Sequence, residues 1–314
     1  MKQLRFRTRK LYRRAVQEVA SRIYVNPQAD LHNSILVAGT ARSGTTWLGD
    51  IIASQIPSRV LFEPFNPDLV PEYRGFQYFQ YMRPGVEHPG FLSFARRVFT
   101  GEIRNRWIDR QNERIYSRYR IVKEIRINLA LKWLHDSFPE VPILLLLRHP
   151  CAVVASRMDL GWATNRDIEP FLNQPDLVTD HLEPYLELIK NARTDEEKHA
   201  IIWSVSNLVP LKQFKPGEVR VVHYENLCTQ PQIELPLILD SIGHTYQEMK
   251  DDTLDHPSQT TRVTSAVVHG RDKISSWKKK LTPVQIKNIL RVVQTFELDY
   301  LYDDSVLPLN KNAT

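Results

Sequence analysis

The sequence predicts an α/β fold, a doubly wound, mainly parallel sheet flanked by helices. Three observations predict it. Short apolar runs alternate with stretches of helical periodicity along most of the chain. The most hydrophobic run, Val141 to Leu147, is brief and continuous, as suits a central parallel strand buried on both faces. An earlier run, Ile35 to Ala38, passes through a turn of small residues, Gly39 to Gly44, into apolar helical spacing from Thr45 to Ala53.

The elements follow in order. Residues 1 to 24 hold eight Lys or Arg against one acid, with Leu11, Ala15, Val16, Val19, Ala20 and Ile23 at helical spacing. A basic amphipathic helix is expected over residues 1–30, lying on an anionic membrane surface or packed on the domain with its charges solvated. The rest, 31–314, reads as one α/β domain. After the strand–turn–helix, Arg59 to Phe62 is a second strand, ending at Glu63. Residues 68–118 are rich in aromatics, Pro and Arg with weak periodicity, apart from a helix expected near Phe91 to Thr100. An insertion there could cover a substrate. Tyr119 to Lys123 is a third strand, and Asn128 to Phe138 a helix. After the central strand, Arg148-His149-Pro150 opens the next helix. Helices follow near 181–191 and 195–209, then a strand at Val219 to His223 and a helix at Leu235 to Ile242. Residues 244–273 are polar and loop-like, and Thr282-Pro283 caps a last helix reaching about Phe296.

Composition narrows the function. The net charge of +6 lies wholly in the first 24 residues; the remainder has 34 basic and 35 acidic residues, a balance of −1. A neutral body argues against a nucleic-acid partner. Cys151 and Cys228 match no metal-ligand spacing, so no metal is expected and a reducing compartment is the simpler inference. No apolar run approaches the ~20 residues of a membrane span, and the N-terminus lacks the apolar core of a secretory signal. A cytoplasmic location is expected, with peripheral membrane contact through residues 1–24 left open.

The turn carries the chemistry. Gly39-x-x-x-x-Gly44 followed by Thr45-Thr46 has the spacing of an ATP-binding phosphate loop, whose backbone N–H groups and following helix N-terminus make a nest for an anion. Thr45 stands where that loop needs its lysine, and the loop's one cation, Arg42, comes earlier. ATP is poorly served, and a shorter, less charged phosphate group fits better. A strand-to-helix turn that binds nothing has the same spacing. A second anion site is suggested by Arg148 at the end of the central strand and Ser156 two turns into the next helix. Both features belong at the carboxyl ends of strands, where open parallel sheets bind ligands. Two anion sites on one crevice suit a ligand with two separated phosphates.

At these residues the chain resembles the sulfotransferases that use 3′-phosphoadenosine 5′-phosphosulfate. Arg42-Ser-Gly-Thr-Thr-Trp47 is similar to the family's 5′-phosphosulfate loop, and Arg148 with Ser156 to its 3′-phosphate site. Weaker echoes are Tyr224-Glu-Asn-Leu227 and Arg271 followed by Ser276-Trp277-Lys278. Arg42 and Lys123-Glu-Ile-Arg126 lean toward the carbohydrate and tyrosyl-protein branches; Ile125 stands where the small-phenol branch has a histidine. The resemblance implies sulfuryl transfer to an acceptor hydroxyl, on a carbohydrate or glycolipid. It implies a nucleotide site of Arg42, Ser43, Gly44, Thr45, Thr46, Arg148, Ser156 and Arg271. It also implies Glu63 as base, Arg42 at the leaving group and Lys123 near the transferred group. From residue type alone, Glu63 and Lys123 could equally be ion-pairing groups. His149 is a base by type but belongs beside the nucleotide, and Trp47 is core or ligand wall. The rival reading is a P-loop kinase or nucleoside-triphosphatase, against which Thr45 and the lack of a magnesium-binding aspartate after an apolar strand both count.

Overall fold

The computed structural model describes residues 24–25, 28–112, 114–162, 164–248 and 273–309. The expected basic helix at the N-terminus and Arg271 therefore lie outside the described residues. Five strands, β1 (Ser34–Gly39), β2 (Ser58–Phe62), β3 (Tyr119–Glu124), β4 (Ile143–Leu147) and β5 (Arg220–His223), form one sheet in the order β2-β3-β1-β4-β5. Every pairing is parallel.

Strands β1 and β4 are almost wholly apolar because helices cover both faces of the sheet, while β2, β3 and β5 carry their charged or polar residues toward their ends. Side chains alternate between faces. Ile35, Val37, Leu144 and Leu146 meet Leu48, Ile51 and Ile52 of α1 (Thr45–Gln55), with Leu235 and Ile238 from the helix Pro231–Ser241. Leu36, Ala38, Leu145 and Leu147 point the other way. They pack with α2 (Pro89–Phe99), α3 (Leu131–Ser137), α4 (Pro150–Met158), α5 (Asp195–Gln213) and α6 (Pro283–Thr295). At roughly 25 cal/mol per Å², burial on both faces is the main force holding these layers.

α5 outruns its expected end at Val209 and continues through Pro210 to Gln213. A proline inside a helix leaves the carbonyl four residues back without its usual donor. That carbonyl, of Ser206, accepts instead from the Asn128 side-chain amide at 3.0 Å. The aromatic residues of 68–118 are mostly core: Tyr73, Phe91 and Phe94 pack edge-on or tilted against Phe65, all four buried. The stretch 101–110 is anchored to β2 by buried Arg59. Its Nε and Nη2 fork onto Asp109 at 2.8 and 3.1 Å, while Nη1 and Nη2 donate to the Gly101 and Ile103 carbonyls at 2.6 and 2.9 Å. Among the described residues no helix is long and apolar enough to cross a membrane.

Sheet order also fixes where a crevice opens. From β1 the chain runs through α1 to β2, on the β3 side; from β4 it runs through α4 and α5 to β5, on the other side. The connections leaving these adjacent strands diverge, so their carboxyl ends flank a topological switch point.

Candidate active site

The loop after β1 is shaped by close packing. A Cβ on Gly39 would lie 2.6 Å from the Leu146 carbonyl, so only glycine lets β1 leave the sheet there. Arg42 and Gly44 both adopt positive φ, +76° and +104°, the left-handed region that costs a side chain conformational energy. Gly44 caps α1 without contributing a side chain, which leaves the first-turn N–H groups of α1 for an anion. Thr45 and Thr46 line the cavity beyond. Ser43 turns inward instead: it is fully buried and its Oγ has no hydrogen-bond partner among the described residues.

Because β1 pairs with β4, the end of β4 delivers Arg148 to the same crevice. Its Nη1 donates to the Arg42 carbonyl at 3.0 Å and Nη2 to the Lys273 carbonyl at 3.3 Å. The guanidinium carbon lies 4.3 Å from the Tyr224 ring centre. Ser156 accepts from Arg42 Nε at 3.0 Å, so the loop's cation reaches across to the helix that follows Arg148. The cradle and Arg148 thus stand on the same side of the sheet. His149 does not join them. It is fully buried and caps α4, accepting from Cys151 N–H at Nδ1 (3.1 Å) and directing Nε2 at the Asp303 carbonyl (3.0 Å). Burial lowers its pKa to about 4. The expectation that it serves the nucleotide side gives way to a structural role, because its ring is taken up by the α4 cap and stacks on Trp277 with ring centres 4.4 Å apart.

Glu63 and Lys123 meet at the ends of β2 and β3. Lys123 Nζ reaches Glu63 Oε1 at 2.6 Å, and Arg126 Nη1 reaches Oε2 at 2.6 Å. Glu63 itself has φ +48°, a turn out of the strand that directs its carboxylate into the crevice. Burial opposes its charge, but Lys123 and Arg126 together outweigh that and hold its pKa below the ordinary 4.5. Burial lowers the Lys123 pKa, with Glu63 opposing. Glu124, on the other face of β3, accepts from Phe65 and Ile125 N–H at 2.9 and 2.8 Å. Burial, then the neighbouring Glu63 charge, push it up to about 7.

These groups enclose a cavity of about 410 Å³, lined by Arg42, Gly44, Thr45, Thr46, Glu63, Lys123, Arg148 and Ser156 among others. Every expected site residue within the described chain except Ser43 reaches it. Sequence reasoning gave no site role to Arg126, Arg110, Trp162 and Lys280, which line it together with Trp107. For Arg126 there was a signal, its place three residues beyond Lys123. Arg110 had none, since its segment lacks periodicity and is held in place by the distant Arg59.

Such a cavity, with an anion cradle, a cross-crevice arginine and a carboxylate among cations, can hold a phosphorylated donor beside a group able to take a proton. Comparisons with known proteins bear on the reaction. Three solved structures are similar over most of their length. The sulfotransferase domain of the Synechococcus PCC 7002 olefin synthase is 18% identical, covering 87% of this chain and 96% of that one, at a TM-score of 0.41. The sulfotransferase domain from the curacin biosynthetic pathway is 16% identical, covering 87% and 98%, at 0.45. A sulfotransferase from Alicyclobacillus acidocaldarius is 14% identical, covering 78% and 98%, at 0.35. No curated protein matches the chain significantly. The profile described as the sulfotransferase family matches residues 34–248, more than half of the 314 residues. The chain belongs to the sulfotransferase family.

Proposed function

We propose that the protein transfers the sulfuryl group of 3′-phosphoadenosine 5′-phosphosulfate to a hydroxyl on a carbohydrate or glycolipid. The observation that carries this reading is the junction of two anion-binding elements at one switch point. The N–H groups opening α1 and the Arg148 guanidinium share a single cavity, joined by the Arg148–Arg42 and Arg42–Ser156 hydrogen bonds. A ligand with two separated phosphates suits two anion-binding elements on one cavity. The donor's 5′ end would take the loop amides with Thr45 and Thr46. Its 3′-phosphate would take Arg148 and Ser156, with Arg42 released from Ser156 toward the leaving group. Ser43, whose hydroxyl is buried and whose N–H donates to the Thr40 carbonyl at 3.0 Å, would act through the loop's shape.

The reaction would be an in-line displacement. The acceptor oxygen bonds to sulfur, the bond from sulfur to the bridging phosphate oxygen breaks, and adenosine 3′,5′-bisphosphate leaves. Negative charge grows on that phosphate, so a cation and fixed N–H dipoles there lower the barrier. The acceptor proton passes to Glu63. In a loose transition state the hydroxyl loses its proton late, so a weakly basic carboxylate serves. The pKa of Glu63 is held down by Lys123 and Arg126, which keeps it ionised and ready at neutral pH. Lys123 Nζ, 2.6 Å from Glu63, would steady charge on the transferred group.

Incubating the protein with ³⁵S-labelled donor and a panel of glycans, glycolipids and phenols tests the reading. Label on a sugar hydroxyl is the expected result; label on phenols alone would move the acceptor class, and no label on any acceptor would refute transfer to these hydroxyls. Cytoplasmic residence belongs to the same proposal, with residues 1–24 either meeting an anionic membrane surface or packing on the domain with their charges solvated. Flotation with phosphatidylserine vesicles, with and without those residues, tests the membrane contact.

A further inference from the structure

The wall built on the ends of β2 and β3 carries more positive charge than the chemistry above uses. Arg110 lies 4.6 Å from the Trp107 ring centre and 4.7 Å from that of Phe62. Lys123 Nζ lies over the same Phe62 ring at 4.4 Å. Arg126 faces the same cavity. Against these three cations the wall offers one carboxylate, Glu63, and both of its oxygens are held by Lys123 and Arg126. No acidic side chain among the described residues pairs with Arg110. Nor is Arg110 on a loose tether. The neighbouring indole donates from Trp107 Nε1 to the Glu63 carbonyl at 3.2 Å, and the Arg59–Asp109 fork pins the backbone just before it. Contact with two aromatic rings restrains the guanidinium while leaving N–H donors at its edge for an oxyanion.

The geometry points to Arg110 as the residue that selects the acceptor, by binding an oxyanion (a carboxylate or a sulfate ester) carried by the same sugar that offers the hydroxyl. This rests on the sulfuryl-transfer reading for the meaning of the site, but the binding it requires stands apart from turnover. A neutral acceptor would meet the Trp107 face and leave the Arg110 donors to water. An acidic one would gain a charge-assisted, forked pair of hydrogen bonds within reach of the Glu63 carboxylate.

The test uses the full chain with adenosine 3′,5′-bisphosphate present and three probes: methyl glucoside, methyl glucuronide and methyl glucoside 6-sulfate. Affinities are read by ligand-observed NMR. At least one acidic probe should bind about tenfold more tightly than the neutral one, the scale of one partly exposed hydrogen bond to a charged group. The tighter of the two identifies the anion. In Arg110→Gln the acidic-to-neutral ratio should fall close to one, while Arg110→Lys should keep part of it. Thermal unfolding verifies that each variant is folded. Equal affinities for all three probes, undetectable binding of both acidic probes, or a preference that survives Arg110→Gln would each overturn the proposal. Bisphosphate binding, followed in the same samples, reports separately on the donor site: its failure would remove the nucleotide reading while the probe ratio still decides the role of Arg110.

Discussion

Replacing Glu63 with glutamine separates proton transfer from charge balance. The carboxylate has two jobs in the proposed chemistry, taking the acceptor proton and neutralising Lys123 and Arg126. Glutamine fills nearly the same space and keeps one oxygen acceptor, but cannot take the proton. Loss of a positioned base lowers turnover by ~10²–10⁴-fold. The structural cost is separate. The Lys123 and Glu63 side chains are 4% and 6% exposed, and removing one member of a buried pair typically costs about 3–5 kcal/mol. The retained oxygen and the part-exposed Arg126, at 19%, argue for the lower end. Without the Glu63 charge, the Lys123 pKa, already lowered by burial, falls further. Affinity for adenosine 3′,5′-bisphosphate should hold within a few-fold, because Glu63 touches neither the loop nor Arg148. The assay combines turnover with labelled donor at saturating acceptor, calorimetry with the bisphosphate, and a thermal melt. Near-native turnover in a variant whose stability has dropped would refute the base assignment and leave Glu63 as a structural anion.

Arg148→Ala should weaken binding of adenosine 3′,5′-bisphosphate by about 10–100-fold, the scale of lost hydrogen bonds to a charged group, with a smaller effect on turnover at saturating donor; unchanged affinity by calorimetry would end its phosphate role. Gly44→Ala should damage the cradle, since the new Cβ would sit 2.7 Å from the Tyr224 ring in a backbone at φ +104°, and Tyr224 is pinned by Trp47 and Arg148. A loss of at least about tenfold in bisphosphate affinity is expected, and native affinity would contradict it. Acid should destabilise the fold early. Burial depresses His149 and His223 to about 4 and His199, beside Arg157, to about 3, from an ordinary 6.5. These histidines are neutral when folded and protonate more readily when unfolded. Their contribution is therefore complete above pH 6.5 and declines as pH falls toward their folded values, by up to ~4 kcal/mol per unit when all three act, offset by up to ~1.4 kcal/mol per unit from Glu124, whose raised pKa adds stability as pH falls through about 7. Denaturant titrations at pH 7, 6 and 5 that gave one unfolding free energy would refute it.

Much of the architecture is legible because parallel strands covered on both faces leave a local mark. Leu144 to Leu147 have no polar residue to break the run, and all are buried. The cap expected at Thr282 is present, and Gln285 returns the bond to make it a capping box. Pro210 reads as a stop within its own sequence, but the helix continues past it, and the distant Asn128 amide takes up the Ser206 carbonyl that the proline leaves without its usual donor. The aromatic residues near Tyr73 and Phe91 fall in the stretch expected to cover a substrate, and packing against Phe65 makes them core.

Taken alone, the order of residues determined the phosphate loop, the strand–helix alternation and the placement of Arg148 at a strand end, since each depends on neighbours within about ten positions. Tertiary structure decided what faces what. The pairing of β1 with β4 brings Arg148 to the loop, that of β2 with β3 brings Glu63 to Lys123, and Arg59 fixes the stretch that carries Trp107 and Arg110 to the cavity. Local pattern cannot encode these meetings, because each joins residues at least 40 positions apart, and the sheet order and buried ion pairs that bring them together exist only in the folded chain.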